Sequence, residues 1–361
     1  MEYKTSDLDG YVAKVCESKG DFSLFRAFKL KYDTIVDQEL DPFSEKYYEQ
    51  QLALYREIAG REIEQASGEL HKIDISKLID APNPMGIVNV ADIGEHVRCN
   101  STMLSLCCLF GQAEILDMGA GYGISSEVYA FSAAKVHAVD IDPLLSRLAI
   151  ERASRRSLDI IRHLMNFDDV EKLDNDRFEA PLFFQSLHHC LKPWELINVL
   201  SQKLTKNGVI CFSGEPIQSI WWKNWGLRLD QTSVFVARAH GWFESGWALE
   251  FITECFARNG MDLTIISGGS GGGIIGIATK TEDKKKEILN KAGLIGLTVK
   301  DCTKIVEDST FSSVIGSAVN RYGRPGYAQV EDNGGVLLYG PYVKLPAGRY
   351  ESRLSRCPRY V

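Results

Sequence analysis

Asp117-Met118-Gly119-Ala120-Gly121-Tyr122-Gly123 places three glycines in five residues, between the apolar run 114–118 and a helical pattern opening at Ser125. A short apolar run reads as a buried strand and the periodic stretch as a helix, so the glycines mark the turn from one to the other. Glycine tolerates the left-handed backbone of a tight turn and lets backbone N–H groups approach a ligand at the helix start. The same rhythm repeats. Residues 135–139 form a second run ending at Asp140, with a helix opening near Pro143, and residues 160–165, 182–184 and 209–213 read as further strands. Strands apolar on both faces, alternating with helices, predict an α/β fold with a parallel sheet covered on both sides. Residues 263–266 and 274–278 flank Gly268-Gly269-Ser270-Gly271-Gly272-Gly273. Only a hairpin joins strands across so short a link, so the sheet is expected to finish with an antiparallel pair.

Two cofactor chemistries use a glycine turn at the carboxyl end of a strand. A dinucleotide site takes G-x-G-x-x-G and seats a pyrophosphate on the helix N-terminus. Here the third glycine falls at Gly123, one position early, and position 124 is Ile. G-x-G-x-G with an acid two residues before it is instead the pattern of S-adenosylmethionine (SAM) sites, which hold no phosphate. Asp140 ends the second strand, 17 residues after Gly123, where a carboxylate can accept both ribose hydroxyls. Asp142 follows and offers a cap for the next helix. The third strand runs into Asn166-Phe167-Asp168-Asp169, where an apolar ring and an acid suit adenine and its amino group. The expected cofactor contacts are Asp117, Gly119, Gly121, Gly123, Asp140, Phe167 and Asp168. A nicotinamide cofactor and a ligand-free turn are the alternatives. The glycine run 268–273 has no P-loop Lys-Ser/Thr and reads as a turn.

Composition removes other classes. Lys+Arg number 41 against 48 Asp+Glu, a net charge of −7, which argues against a nucleic-acid partner. No apolar run reaches the roughly 18 residues of a membrane span, and no signal segment follows Met1, so a cytoplasmic location is expected. Nine cysteines, odd in number and without a CxxC pair, read as buried thiols in a reducing compartment. No zinc knuckle is expected.

Ile115 to Gly123, with Val139-Asp140, resembles motif I and the acidic loop of class I SAM-dependent methyltransferases. Asp41-Pro42-Phe43-Ser44, residues 183–189, Gly214-Glu215-Pro216-Ile217, residues 225–230 and Gly241-Trp242-Phe243-Glu244 resemble a subgroup, bacterial methyltransferases that accompany glycosyltransferases in surface-polysaccharide assembly. The resemblance covers roughly residues 41–280. It implies a Rossmann-like seven-stranded sheet with an antiparallel last strand, SAM as cofactor, S-adenosylhomocysteine as product and association with glycosyltransferases. Gln185 departs from the acidic residue that the subgroup would carry there, and is given no catalytic role. The organisation expected is a helical N-terminal cap over the cofactor (1–100), a methyltransferase domain (101–281) with an acceptor-side insertion at about 216–250, and a helix plus a small β-rich appendage (282–361). Within the cap, Ser44 reads as an N-cap, Gly60 as a stop, and residues 94–110 as a second helix.

Methyl transfer is an in-line displacement, and a hydroxyl acceptor must also lose a proton. Ser186-Leu187-His188-His189-Cys190 follows the fourth strand, at the edge where open α/β sheets bind ligands, and histidine suits proton abstraction near neutral pH. His189 and His188 are therefore candidate bases, the plainer alternative being that one packs on the sheet while the other orders the loop. Glu215, ending the fifth strand, is a third candidate, or a partner for sugar hydroxyls, or a cap. A metal held by adjacent histidines is not expected, because neighbouring side chains on an extended strand point opposite ways. Five of the six tryptophans fall within residues 221–247, beside Arg228, Asp230 and Glu244. Aromatic faces next to charged groups suit a pyranose, with Arg228, Asp230, Trp242 and Glu244 as substrate contacts. A lid core with an internal Arg228–Asp230 pair is the alternative. The expected reaction is O-methylation of a sugar or glycan intermediate, with another small metabolite or a non-catalytic SAM-binding subunit as alternatives.

Overall fold

The computed structural model describes residues 2–64, 70–71, 73–267 and 274–300, all within the unit Met1–Lys300. β1 (Glu2–Lys4) pairs parallel with β2 (Lys29–Lys31), and α1 (Leu8–Glu17) lies between them in the chain. α2 (Glu45–Ala59) starts where the Ser44 hydroxyl accepts the Tyr47 N–H and ends on Gly60, at φ +69°. α3 (Ser76–Ile79) and α4 (Val90–Leu106) follow. α4 begins before the expected residue 94 because the Asn89 side chain caps it, accepting the Ala91 N–H. It stops before the expected residue 110, where Cys108 turns left-handed at φ +47°. The regular structure of the N-terminal region is thus mainly helix, joined by long irregular stretches, with a strand pair too short to show a period-two pattern.

The main sheet is built from β3 (Glu114–Met118), β4 (Lys135–Asp140), β5 (Ile160–Leu164), β6 (Ala180–Phe184) and β7 (Val209–Ser213), all parallel. α5 (Ile124–Phe131), α6 (Pro143–Arg156) and α7 (Pro193–Lys203) make the crossovers. After β7 the chain inserts β8 (Trp225–Leu227), α8 (Gln231–His240), β9 (Ser245–Trp247) and α9 (Leu249–Ala257). β10 (Asp262–Ser267) and β11 (Ile274–Thr279) return as the expected antiparallel pair, with β11 antiparallel to β7. α10 (Glu282–Leu294) leads to β12 (Thr298–Lys300), giving the order β12-β10-β11-β7-β6-β3-β4-β5. All seven strands of the expected methyltransferase sheet are present, and β12 adds an eighth at the edge. β6 and β7 are buried through almost their whole length, the pattern of strands covered on both faces. The glycine run 268–273 and the expected β-rich tail beyond residue 300 lie outside the described residues.

α1 and α2 brace the insertion. The Tyr47 hydroxyl donates to the Trp225 carbonyl at 2.6 Å, the Tyr55 hydroxyl to the Gly241 carbonyl at 2.6 Å, and Gln51 Oε1 accepts the Leu227 N–H. Trp222, Trp225 and Trp247 are buried in this core, so the lid-core reading holds for them. α1 and α2 pack on the insertion, whereas α3 packs on α6 and α4 on α5 and β7. Among the described residues before β3, His71, in the linker after α2, lines the cavity at the carboxyl edge of the sheet.

At the opposite end of the sheet, His137 is buried, with its Nδ1 2.9 Å from His163 Nε2. Burial, then Arg177 and His163, lower its pKa from 6.5 to about 4. The unfolded chain therefore takes up this proton first, and the ring's contribution to stability is present above pH 6.5 and lost as pH falls toward 4. Urea unfolding at pH 7.5 and pH 5 should show the wild type losing about 2 kcal/mol more than His137→Gln. Equal losses in the two proteins would contradict this account.

Candidate active site

The strand-to-helix turn after β3 carries Gly119, Gly121 and Gly123 at φ +69°, +48° and +89°. A Cβ at Gly119 would sit 2.6 Å from the Ser186 Cβ, so the close approach of the β6 loop also requires glycine there. The Gly119 and Ala120 N–H groups donate to the Val139 carbonyl, and the Gly121 N–H donates to Asp140 Oδ2 at 2.7 Å. Beneath the turn, the buried Arg162 donates to the Gly121 carbonyl at 3.0 Å and lies 3.6 Å from Asp140 Oδ1. The turn and the acid of the next strand are thus one rigid unit.

A cavity opens at this carboxyl edge, lined by Gly119, Gly121, Asp140 and Phe167 from the expected cofactor set and by His189 and Trp242 from the expected acceptor set. Asp117, Gly123 and Asp168 do not line it. Asp117 is buried and accepts both the Ser125 and Ser126 hydroxyls, which fastens the turn to α5. Burial, partly opposed by those hydroxyls, pushes its carboxyl up. Gly123 is the left-handed N-cap of α5, and Asp168 opens a short 3-10 turn beside Phe167. Asp142 is the helix cap: its Oδ1 accepts the Leu144 and Leu145 N–H groups, and its Oδ2 accepts the His71 N–H at 2.6 Å.

Ser186 and six residues that sequence reasoning assigned no role, His71, Ile141, Leu145, Met165, Asn166 and Gln185, complete the lining. Ile141 and Met165 directly follow the ends of β4 and β5, a positional signal available beforehand. Gln185 holds the left-handed φ of +54° between β6 and the histidines, a strained conformation that concentrates at functional sites.

Glu215 is corrected from candidate base to clamp. Its side chain is fully buried. Oε1 accepts the Ser186 and Leu187 N–H groups at 2.9 and 3.0 Å, and Oε2 accepts the His188 N–H at 3.1 Å and faces His188 Nδ1 at 2.8 Å. Burial alone would raise its pKa, but the His188 ring and the backbone donors outweigh it and hold the carboxyl below the usual range. Arg228 and Asp230 are corrected as well. Asp230 caps α8 and pairs with Arg228 at 3.0 Å, and neither lines the cavity. Glu244 is buried beside them, 3.4 Å from Arg228 and 3.5 Å from His188 Nε2.

The histidines do not lie on an extended strand. Leu187–His189 is a 3-10 turn, and the two rings are 4.2 Å apart on the same side, so the reason given against a shared ion fails. His189 Nδ1 lies 3.0 Å from the Phe243 carbonyl, which can only accept, so Nδ1 carries a proton and donates it there.

Residues 116–212 match the family described as "Methyltransferase domain", a stretch running from within β3 almost to the end of β7. Fold, glycine turn and this match agree on SAM as the cofactor. A ubiquinone biosynthesis O-methyltransferase of Xanthomonas campestris pv. campestris is 27% identical over 101 residues, 28% of this chain and 42% of that protein. The chain therefore spans less than half the length of this curated relative. Among solved structures, a geranyl diphosphate C-methyltransferase from Streptomyces coelicolor aligns at TM-score 0.45 and 12% identity, covering 66% of this chain and all of that one. A 1,6-didemethyltoxoflavin-N1-methyltransferase from Burkholderia thailandensis aligns at 0.40 and 17%, covering 53% and 80%.

If Glu215 is a clamp, Glu215→Ala strands three backbone donors and a ring nitrogen, and should destabilise the chain by about 3–5 kcal/mol. Glu215→Gln keeps an acceptor oxygen and should lose less. Denaturant unfolding of both variants checks this, and a Glu215→Ala protein as stable as wild type would contradict it.

Proposed function

We propose that the chain is a SAM-dependent O-methyltransferase acting on a sugar or glycan hydroxyl. The observation that carries the reading is a single cavity lined both by the glycine turn with Asp140 and by His189 with Trp242. SAM would lie with its ribose on Asp140 and its adenine against Phe167, leaving the sulfonium methyl toward His189. The acceptor oxygen then attacks the methyl carbon in line: an O–C bond forms, the S–C bond breaks, and S-adenosylhomocysteine leaves. In the metal-free site, the hydroxyl proton passes to His189 Nε2. Holding the partners in line supplies much of the acceleration, and a positioned base adds about 10²–10⁴-fold. Trp242 offers an aromatic face for a ring-shaped acceptor. The sugar assignment rests on the subgroup resemblance, which also supports a cytoplasmic enzyme working beside glycosyltransferases.

A phenolic hydroxyl on a small metabolite is the second reading, favoured by the stretch similar to a ubiquinone biosynthesis O-methyltransferase. Incubation with methyl-labelled SAM and two acceptor panels, nucleotide-sugars with oligosaccharides and simple phenols, separates the two. Label on the sugars is expected, and His189→Ala should slow transfer by about 10²–10⁴-fold while S-adenosylhomocysteine still binds. Label on phenols alone would overturn the sugar reading. Unchanged transfer by His189→Ala would remove the base.

A further inference from the structure

At the His189 wall of the cavity, and reaching behind it, one ligand atom from each of His188, His189 and Glu244 lies within 4.8 Å of the other two. Both imidazoles are oriented from behind by an oxygen. His188 Nδ1 lies 2.8 Å from Glu215 Oε2, and His189 Nδ1 lies 3.0 Å from the Phe243 carbonyl. With Nδ1 donating, each ring carries its lone pair on Nε2. His188 Nε2 then faces Glu244 Oε2 at 3.5 Å, two acceptors across a gap at the outer limit of hydrogen bonding. A cation seated between them would meet both.

We propose that His188, His189 and Glu244 bind one divalent transition-metal ion. Two imidazoles and a carboxylate suit zinc and its first-row neighbours, whereas magnesium and calcium prefer all-oxygen shells. Outer-sphere acceptors behind both histidines are the arrangement that orients metal-bound imidazoles. The ligand set also tolerates its cationic neighbour, because Arg228 is anchored to Asp230 at 3.0 Å and reaches Glu244 only at 3.4 Å. Bonds of about 2.0–2.2 Å would draw the three ligand atoms in around the ion. Such an ion can take the acceptor hydroxyl as a further ligand and ease loss of its proton to water. This role rests on the methyltransferase reading, with His189 then a ligand instead of the base. The ion site itself does not depend on that reading.

The test is calorimetric titration of the full chain, stripped with EDTA, with Zn²⁺, alongside visible spectra with Co²⁺. One equivalent of Zn²⁺ is expected to be lost in His189→Asn and in Glu244→Gln, each binding at least 100-fold more weakly. Glu215→Gln, which alters the group behind His188, should weaken binding by about 10–100-fold. Glu244→Gln keeps an acceptor for Arg228, and an unchanged thermal midpoint without metal certifies its fold. Equal Zn²⁺ uptake by wild type and both ligand variants, or no uptake at millimolar Zn²⁺, would overturn the proposal. S-adenosylhomocysteine binding by the stripped chain reports separately on the cofactor reading, so either reading can fail without the other.

Discussion

The Glu215 carboxylate holds the site together. From the end of β7 it collects the N–H groups of three consecutive residues on the neighbouring loop, 186–188, and the ring of His188. That loop in turn touches the cofactor turn, because the Ser186 hydroxyl donates to the Met118 carbonyl at 2.7 Å and its Cβ presses on Gly119. It also reaches the insertion, where the Ser245 hydroxyl donates to the His188 carbonyl at 2.7 Å. A buried ionised carboxylate is tolerable only when fully partnered, and here the partners come from backbone whose position decides where both histidines point.

Around this clamp the protein divides its labour. The parallel sheet supplies a fixed edge, and the glycine turn and Asp140 shape its cofactor side. The insertion 216–250 supplies Trp242, Glu244 and the Phe243 carbonyl on the other side. That insertion is not self-sufficient, since β8 and β9 are three residues each and a two-stranded pair of this length is marginal alone. The tyrosines of α2 and the capped α8 give it a core, while His71, Ile75 and Ile79 of the same N-terminal region pack against Asp142 and Leu145 on the cofactor side.

Much of this was legible beforehand. Apolar runs alternating with helices identified the sheet, and the glycine spacing with Asp140 marked the cofactor side, because these depend on local pattern. The roles of individual acids were not legible. Asp117 and Glu215 both end strands and both read as chemical groups, yet one holds two serine hydroxyls and the other a loop. Which role an acid takes depends on donors brought near by the fold, 29 residues away in sequence for Ser186 and Glu215. The adjacent histidines were misjudged for the same kind of reason: a 3-10 turn replaced the extended backbone assumed for them. His71 lacked any sequence signal, since its place is set by a hydrogen bond to Asp142.

The account stands or falls on the cofactor cavity. Calorimetric titration of S-adenosylhomocysteine into the wild type and into Asp140→Ala tests it directly. The prediction is one site per chain in the wild type, at least tenfold weaker binding without the Asp140 carboxylate, and no heat with NAD. A folded wild-type protein free of carried-over ligand that takes up no S-adenosylhomocysteine, or that binds NAD instead, would contradict it.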